Sequence, residues 1–199
     1  MALELIVDSH EWKLDGASVL GVTETLKLAG VIEYPFVPAE YLERGRLVHN
    51  MIHAWFDCDL KLPVPEWLVP YKEGVENFVE ETGFDALYWE VKMHSVTHRY
   101  AGMSDAIGTM RGQKLPVIVD WKTGNVDSWV ALQTAAYAQM VPHKYPKLGS
   151  LYHRIGVQIA PNLHKGRNYS CTHFPVQTLP RDTQVFNHCH AVAKWKKAA

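Results

Sequence analysis

One short apolar strand, carrying charge at its end and broken by a glycine, constrains this chain more than any other feature. Pro116 starts the segment, and the two valines and the isoleucine of residues 117–119 favour an extended conformation. Side chains alternate between the two faces of a strand, so Asp120 and Lys122 project from the same side before Gly124 ends the strand. A carboxylate beside an ammonium just before a turn is hard to explain as core packing.

A second carboxylate, Asp105, lies upstream of this strand. Glycines and polar turn residues separate it from Pro116, which predicts a hairpin that brings Asp105 alongside Asp120. Two nearby carboxylates repel, and a buried pair needs a proton or a cation between them. Oxygen ligands suit hard divalent ions such as Mg²⁺ or Mn²⁺. A lysine two residues from a metal ligand could hold or activate an attacking water, or steady a phosphoryl oxygen.

The ordered pattern extends from Gly102 and Asp105, through Asp120-Trp121-Lys122-Thr123-Gly124, to Gln133 and Tyr137 on a following helix. It resembles the signature of the PD-(D/E)XK nuclease superfamily, in its RecB-like exonuclease branch. Upstream, residues 90–94 leading to residues 100–102 are similar to the phage and mitochondrial genome-maintenance single-strand exonucleases of that branch. The resemblance covers roughly residues 40–160.

The resemblance implies an α/β protein with a restriction-endonuclease-like core, in which helices flank a mixed central β-sheet. We expect a single nuclease domain over residues 1–199, with a hairpin and helix extension in 1–35, the core in 36–160, and a C-terminal strand and helix in 161–199. The implied activity is hydrolysis of DNA phosphodiester bonds that leaves 5′-phosphates, in phage or bacterial DNA recombination, repair or processing. Attack at ends or at interior bonds, and on single or duplex strands, are all compatible with the pattern.

The resemblance also implies a ligand set for one or two Mg²⁺ or Mn²⁺ ions. Its members are His49, Asp105, Asp120 and the backbone carbonyl of Trp121, while Lys122 activates water. By itself, His49 on the inner stripe of a helix is more typical of a hydrogen-bonded core histidine. Glu90 lies on a strand face that could meet Asp105, and either orients water near the metals or simply faces solvent.

Five further residues are candidate nucleic-acid contacts. Gln133 and Tyr137 share one helical stripe, so an amide and a phenol could touch a DNA backbone or base, or form a plain helix surface. Arg44 and Arg46 are either solvated charges or phosphate contacts, and Thr123 would position the strand. A recombination or single-strand-binding protein is a further partner that the family suggests.

Periodicity predicts the other elements. We expect strands Leu3–Val7 and Trp12–Leu14 with a turn at Asp15-Gly16, and helices over 22–28, 38–57, 72–81, 129–140 and 182–197. The 38–57 helix should face inward through Leu42, Gly45, His49, Ile52 and Phe56. The last helix should do so through Val185, Cys189 and Val192. Alternating strands are expected over 87–94 and 151–160, with a hairpin partner over 167–176.

Composition narrows the function less than the motif does. The 199 residues carry a formal net charge of −1, which argues against a strongly basic DNA-coating protein but not against a nuclease with a local basic groove. Three cysteines without paired spacing predict no disulfide framework, no four-cysteine iron–sulfur cluster and a reducing, cytoplasmic location. We find no signal peptide and no membrane-spanning run. The competing hypotheses are a catalytically inactive nucleic-acid-binding module and, from eleven dispersed histidines, a metal-binding or structural protein.

Overall fold

The computed structural model describes residues 2–6, 11–33, 37–58, 63–163 and 166–198. Its strands are β1 Leu3–Ile6, β2 Glu11–Leu14, β3 Ala17–Gly21, β4 Asp85–His94, β5 Tyr100–Thr109, β6 Val117–Lys122, β7 His153–Ile159 and β8 Tyr169–Phe174. Its α-helices are α1 Val22–Ala29, α2 Ala39–Cys58, α3 Val69–Thr82, α4 Val130–Lys144 and α5 Leu179–Ala198. None of these helices is long and apolar enough to cross a membrane.

The strands form one mixed sheet in the order β1-β2-β3-β5-β6-β7-β8, with β4 paired to β5. The β3–β5 and β6–β7 pairs are parallel, and the remaining pairs are antiparallel. Helices α1, α4 and α5 pack on one face, while α2 and α3 cover the other. The predicted α/β architecture, a mixed central sheet flanked by helices with N-terminal strands, is confirmed.

Strand β6 divides its side chains between the two cores. Val117, Val119 and Trp121 pack under α2 and α3, whereas Ile118 belongs to the core beneath α4 and α5. Strand alternation therefore turns Asp120 and Lys122 toward the α4 side of the sheet. Every residue from Val117 to Trp121 is buried, so a charge at position 120 lies in the interior of the protein.

The sheet forks along β5, and this fork determines where polar groups can gather. Tyr100 and Ala101 pair with β3, whereas the residues from Ala106 to Gly108 pair with β6. Strands β3 and β6 lie along the same edge of β5 and run toward each other. Both end at a gap, which lies between Ala101 and Ala106 of β5. Gly102 lies in this gap, where an added Cβ would come within 2.8 Å of Val22 and 2.9 Å of Tyr137. Only glycine fits there, because neighbouring side chains occupy the space of a methyl group.

Several local predictions are wrong. The N-terminal segment forms three strands, because the Asp15-Gly16 turn connects β2 to β3; Val7, predicted as part of the first strand, lies outside the described residues. In α2, Leu42 was expected to face inward and is 61% exposed, although Ile52 is buried as expected. In α5, Val185 and Val192 are exposed, so the inner stripe of that helix differs from the predicted one.

Candidate active site

Two carboxylates meet at the fork of the sheet, as the hairpin prediction required. The antiparallel register that pairs Ala106 with Val119 sets Asp105 beside Asp120. Asp105 Oδ2 accepts a hydrogen bond of 2.8 Å from the Trp121 backbone N–H, a donor that the gap in the sheet leaves without a strand partner. Asp120 is only 2% exposed. Burial raises the pKa of Asp120; the Lys122 ammonium opposes this rise and the Asp105 carboxylate adds to it.

Lys122 supplies the cation that this buried carboxylate needs. Its Nζ forms an ion pair with Asp120 Oδ2 and donates a hydrogen bond of 3.3 Å to Gln133 Oε1. The same Nζ lies 5.2 Å from the centroid of the Trp129 ring, within the range of a cation–π contact. A carboxylate, an amide oxygen and an aromatic face therefore hold one ammonium group in place.

Gln133 and Tyr137 lie beneath Lys122, where they are 7% and 4% exposed. Gln133 Nε2 donates a hydrogen bond of 2.9 Å to the Tyr137 hydroxyl, which orients the amide so that its oxygen faces Lys122. Burial raises the pKa of Tyr137, and the Asp120 and Asp105 carboxylates raise it further, so the phenol stays neutral. Both residues were predicted to contact DNA. The structure places the Gln133 amide against Lys122 and the Tyr137 hydroxyl against Gln133.

His49 approaches the fork from the opposite face, on α2. Its Nδ1 lies 3.7 Å from Asp105 Oδ1, and its side chain is 34% exposed. One helical turn earlier, Gly45 faces Thr123, whose Oγ1 would lie 3.6 Å from an added Cβ. Asp105 therefore stands between Asp120 on the α4 side and His49 on the α2 side.

Glu90 reaches the site through a distortion of β4. Its φ of +40° is rare for a residue other than glycine. This conformation reverses the side-chain alternation, so that Tyr88 packs into the same core as Val91 and Met93, although it was predicted to face the other way. Glu90 itself is exposed at a small depression that it shares with His49, Asp105 and Trp121.

A cleft of about 910 Å³ opens above Lys122 between α2 and the segment that follows β6. Arg44 and Arg46 line it, as do Thr123 and His49. The Arg44 guanidinium lies 4.6 Å from the centroid of the Tyr41 ring, whereas Arg46 pairs with Glu43 at 2.6 Å. Arg46 is therefore exposed but already paired, whereas Arg44 is half-buried and its Nε is buried without a hydrogen-bond partner among the described residues.

Sequence reasoning missed two aromatic residues of the cleft, Tyr41 and Trp129. Trp129 packs under Lys122, and its Nε1–H donates to Asp127 Oδ2 at 3.2 Å. No local signal identifies either residue, because an isolated aromatic residue near a helix start is common.

The donors at the fork have the chemistry of a divalent-cation site. The two carboxylates match the oxygen ligands that Mg²⁺ or Mn²⁺ takes in proteins, whereas the imidazole is a donor that softer transition-metal ions prefer. In the described part of the chain, however, no group of three or more histidine, cysteine, aspartate or glutamate side chains is already assembled to hold a metal ion. Lys122 instead occupies one oxygen of Asp120, so a metal would have to share this carboxylate with the ammonium group.

Comparisons with known proteins give few relatives. No family model matches this chain, and no curated protein matches it. Among solved structures, the alkaline exonuclease LHK-Exo from Laribacter hongkongensis is similar to it with a TM-score of 0.36 and 11% sequence identity, covering 90% of this chain and 92% of the exonuclease. LHK-Exo in complex with dAMP gives a TM-score of 0.40 and 12% identity over the same shares of the two chains.

Proposed function

We propose that this protein is a divalent-metal-dependent nuclease that hydrolyses DNA phosphodiester bonds as an exonuclease and leaves 5′-phosphates. One observation carries the proposal: Asp105 and Asp120 lie side by side at the fork, with Lys122 held against Asp120 at the base of an open cleft. A buried carboxylate beside a half-buried one, with one fixed ammonium, is costly to build and is typical of sites that stabilise charge during a reaction.

His49, Asp105, Asp120 and the Trp121 carbonyl would hold one or two Mg²⁺ or Mn²⁺ ions. Such ions polarise a phosphodiester and lower the pKa of a bound water. Lys122 Nζ positions the attacking water, or deprotonates it once Nζ has released its own proton, and the resulting ammonium offsets negative charge that develops on the phosphoryl oxygens. We assign to Gln133 and Tyr137 the role of holding the Lys122 side chain in position, because their polar groups are buried and already paired. Glu90, at the margin of the site, would help to orient water.

The cleft fits a nucleic-acid strand. Arg44 and Thr123 line it and would contact phosphate oxygens, while Arg46 would contribute charge at the rim. Exposed Tyr41 offers an aromatic surface next to Arg44. We place the reaction in phage or bacterial DNA recombination, repair or processing, with a single-strand-binding or recombination protein as a candidate partner.

Asp120→Asn should abolish tight binding of Mg²⁺ or Mn²⁺, because the amide removes the negative charge shared by the site. We expect affinity to fall by more than the 10–100-fold that changes outside the ligand shell typically cause. Isothermal titration calorimetry measures this directly. Asp85→Asn, which changes an exposed carboxylate at the start of β4, is the matched control. Unchanged metal affinity in Asp120→Asn would show that the ligand set is wrong.

Gln133→Leu should lower kcat by about 10- to 100-fold, since one hydrogen bond to a charged group contributes roughly 1.5–3 kcal/mol. KM should stay unchanged, because the amide is buried beneath Lys122 and does not face the cleft. Gln133→Glu, which keeps an oxygen acceptor, should restore most of the rate. A rise in KM with kcat preserved would instead indicate that Gln133 contacts the DNA strand.

The function is tested with end-labelled single-stranded and duplex oligonucleotides and a circular single strand, incubated with Mg²⁺, Mn²⁺ or chelator. Cleavage of linear substrates alone, lost with chelator, supports the exonuclease, and the position of the label gives its polarity. Cutting of the circle would make the enzyme an endonuclease. Binding without cleavage in either metal would favour the inactive nucleic-acid-binding module.

A further inference from the structure

A second polar groove lies away from the proposed active site, between α5 and the turn that joins β4 to β5. It consists of three adjoining depressions of about 370, 390 and 310 Å³. The first and second share Thr97 and His98, and the second and third share His190 and Lys194. We call this continuous surface the α5 groove. Since α5 has 20 residues, the groove has up to about 30 Å of helix alongside it.

The charge of the α5 groove is one-sided. Arg99, Lys194 and Lys197 line it together with three histidines, and no aspartate or glutamate among the described residues does. Such a concentration is notable in a chain whose formal net charge is −1. Lys197 pairs with Glu24 at 2.9 Å, whereas Arg99 and Lys194 have no ion-pair partner in the part of the chain that the structure describes.

Arg99 sits at a position that disfavours arginine. It has a φ of +56° in the tight turn where its N–H bonds the Ser95 carbonyl. Glycine or asparagine would adopt this conformation more easily. Arg99 therefore has a long cationic side chain at a mildly strained backbone position, and it lines a groove without carboxylates. The turn itself does not need an arginine, so we attribute the residue to a role of its side chain.

The α5 groove ends close to the cleft. Leu20 lines its last depression and Thr23 lines the cleft, so no more than about 11 Å of extended chain separates them. The two surfaces approach each other at the junction of β3 and α1. A polyanion in the groove could therefore continue toward Lys122.

We propose that the α5 groove binds the phosphate backbone of a single nucleic-acid strand and holds the part of the substrate remote from the scissile bond. The proposal rests on the proposed function, because it extends that substrate along the surface. Unpaired Arg99 and Lys194 contact phosphates, and the Thr97 hydroxyl supplies a further donor. The amides of Asn187 and Gln139 already bond to each other. A nuclease with this groove binds long strands better than short ones.

The test measures binding without cleavage, in the full-length Lys122→Ala protein, by fluorescence anisotropy with oligothymidylates of about 5 and about 30 nucleotides. Arg99→Asn/Lys194→Gln removes both unpaired cations, and asparagine suits the backbone at position 99. Arg111→Asn/Lys114→Gln is the matched control, since it makes the same exchanges in the exposed loop at the opposite end of β5.

We expect the groove variant to lose the preference for the longer strand. Between about 50 and 200 mM salt, its slope of log affinity against log salt should become shallower by about 1.4, the change expected for two lost phosphate contacts on a single strand. The short strand and the control should be unaffected. Equal affinity and slope in the groove and control variants would overturn the proposal.

Failure of the groove and failure of the enzyme are separable. If the wild-type protein cuts no DNA with either metal, the proposed function fails, yet the length dependence of binding still reports on the groove. If the wild-type protein cuts DNA, and the groove variant prefers the longer strand as strongly as the control variant does, only the groove proposal fails.

Discussion

Lys122→Ala should abolish DNA cleavage while leaving the fold and metal binding nearly intact. The ammonium group contacts Asp120, Gln133 and the Trp129 ring, and it sits at the base of the cleft where a phosphodiester would lie. Loss of one fixed group that stabilises developing charge typically costs about 10²–10³ in kcat, and loss of the group that prepares the water costs more. We therefore expect cleavage to fall by at least about 10³-fold.

Initial rates on a labelled oligonucleotide measure this effect, with circular dichroism and thermal unfolding to verify the fold. Lys114→Ala is the matched control, because it removes an exposed lysine from the β5–β6 loop without touching the site. Metal affinity of Lys122→Ala should stay within a few-fold of wild type. A variant that cut DNA at a near wild-type rate would show that Lys122 has no role in the chemistry.

Arg154→Met should destabilise the protein more than any other single change that we consider. Arg154 is fully buried, and its guanidinium donates to the Ala131 carbonyl at 2.6 Å and to Asp182 Oδ2 at 2.8 Å. Arg154→Met leaves the buried Asp182 charge with only the exposed Arg181 as a counter-ion, and breaking a buried pair typically costs about 3–5 kcal/mol in the free energy of unfolding. Urea denaturation measures the loss.

Two comparisons identify the cause of that loss. Arg181→Ala also removes a guanidinium from Asp182, but this side chain is 73% exposed, so the change should cost no more than about 1 kcal/mol. The double variant Arg154→Met/Asp182→Asn should be more stable than Arg154→Met alone, because no unpaired charge remains buried. Equal stability of the single and double variants would mean that lost packing, rather than lost charge, is responsible.

The same pair makes stability depend on pH. Burial alone would raise the pKa of Asp182, but hydrogen bonds from Arg154, Arg181 and Thr178 outweigh it and hold the pKa below the ordinary value. A depressed pKa in the folded state contributes stability that is fully present above the unfolded pKa of about 3.9. This contribution is lost as the pH falls through the folded pKa. On acidification, the free energy of unfolding should therefore fall less in Arg154→Met than in the wild-type protein.

The hairpin that carries the carboxylates was predictable because its signals are local. The β-branched run before Asp120 and the glycine-rich turn predict both strands, and their antiparallel register brings Asp105 to Asp120. The helix stops at Gly30 and Gly83 were equally predictable, since both glycines adopt the left-handed conformation that ends a helix.

The inner face of α5 was not predictable, because polar residues occupy it. Asp182 and His190 take buried positions alongside Phe186, and they find their partners in Arg154 and Thr25, far away in the sequence. Hydrophobic periodicity instead predicts that Val185 and Val192 face inward. The predicted inner face is therefore turned about the helix axis from the observed one. Only the tertiary structure reveals which polar residues have buried partners.

The surroundings of Lys122 were unpredictable for a similar reason. Spacing places Gln133 and Tyr137 on one stripe of α4, but it does not say whether this stripe faces solvent or the end of β6. The reversal of side-chain alternation at Glu90 could not be predicted either, because a positive φ at a glutamate leaves no signature in the sequence. In both cases the packing of distant elements decides the direction of a side chain.

The hydrogen bond between the Trp121 N–H and Asp105 makes the site a cooperative unit. Asp105 belongs to β5, while Asp120 and Lys122 belong to the last residues of β6, so separation of the two strand ends would part Asp105 from the other two groups. Local opening of one strand end needs far less free energy than global unfolding. The proposed site can therefore come apart through a fluctuation at the fork while the two cores stay folded, and a partner or substrate that holds β6 against β5 would keep it assembled.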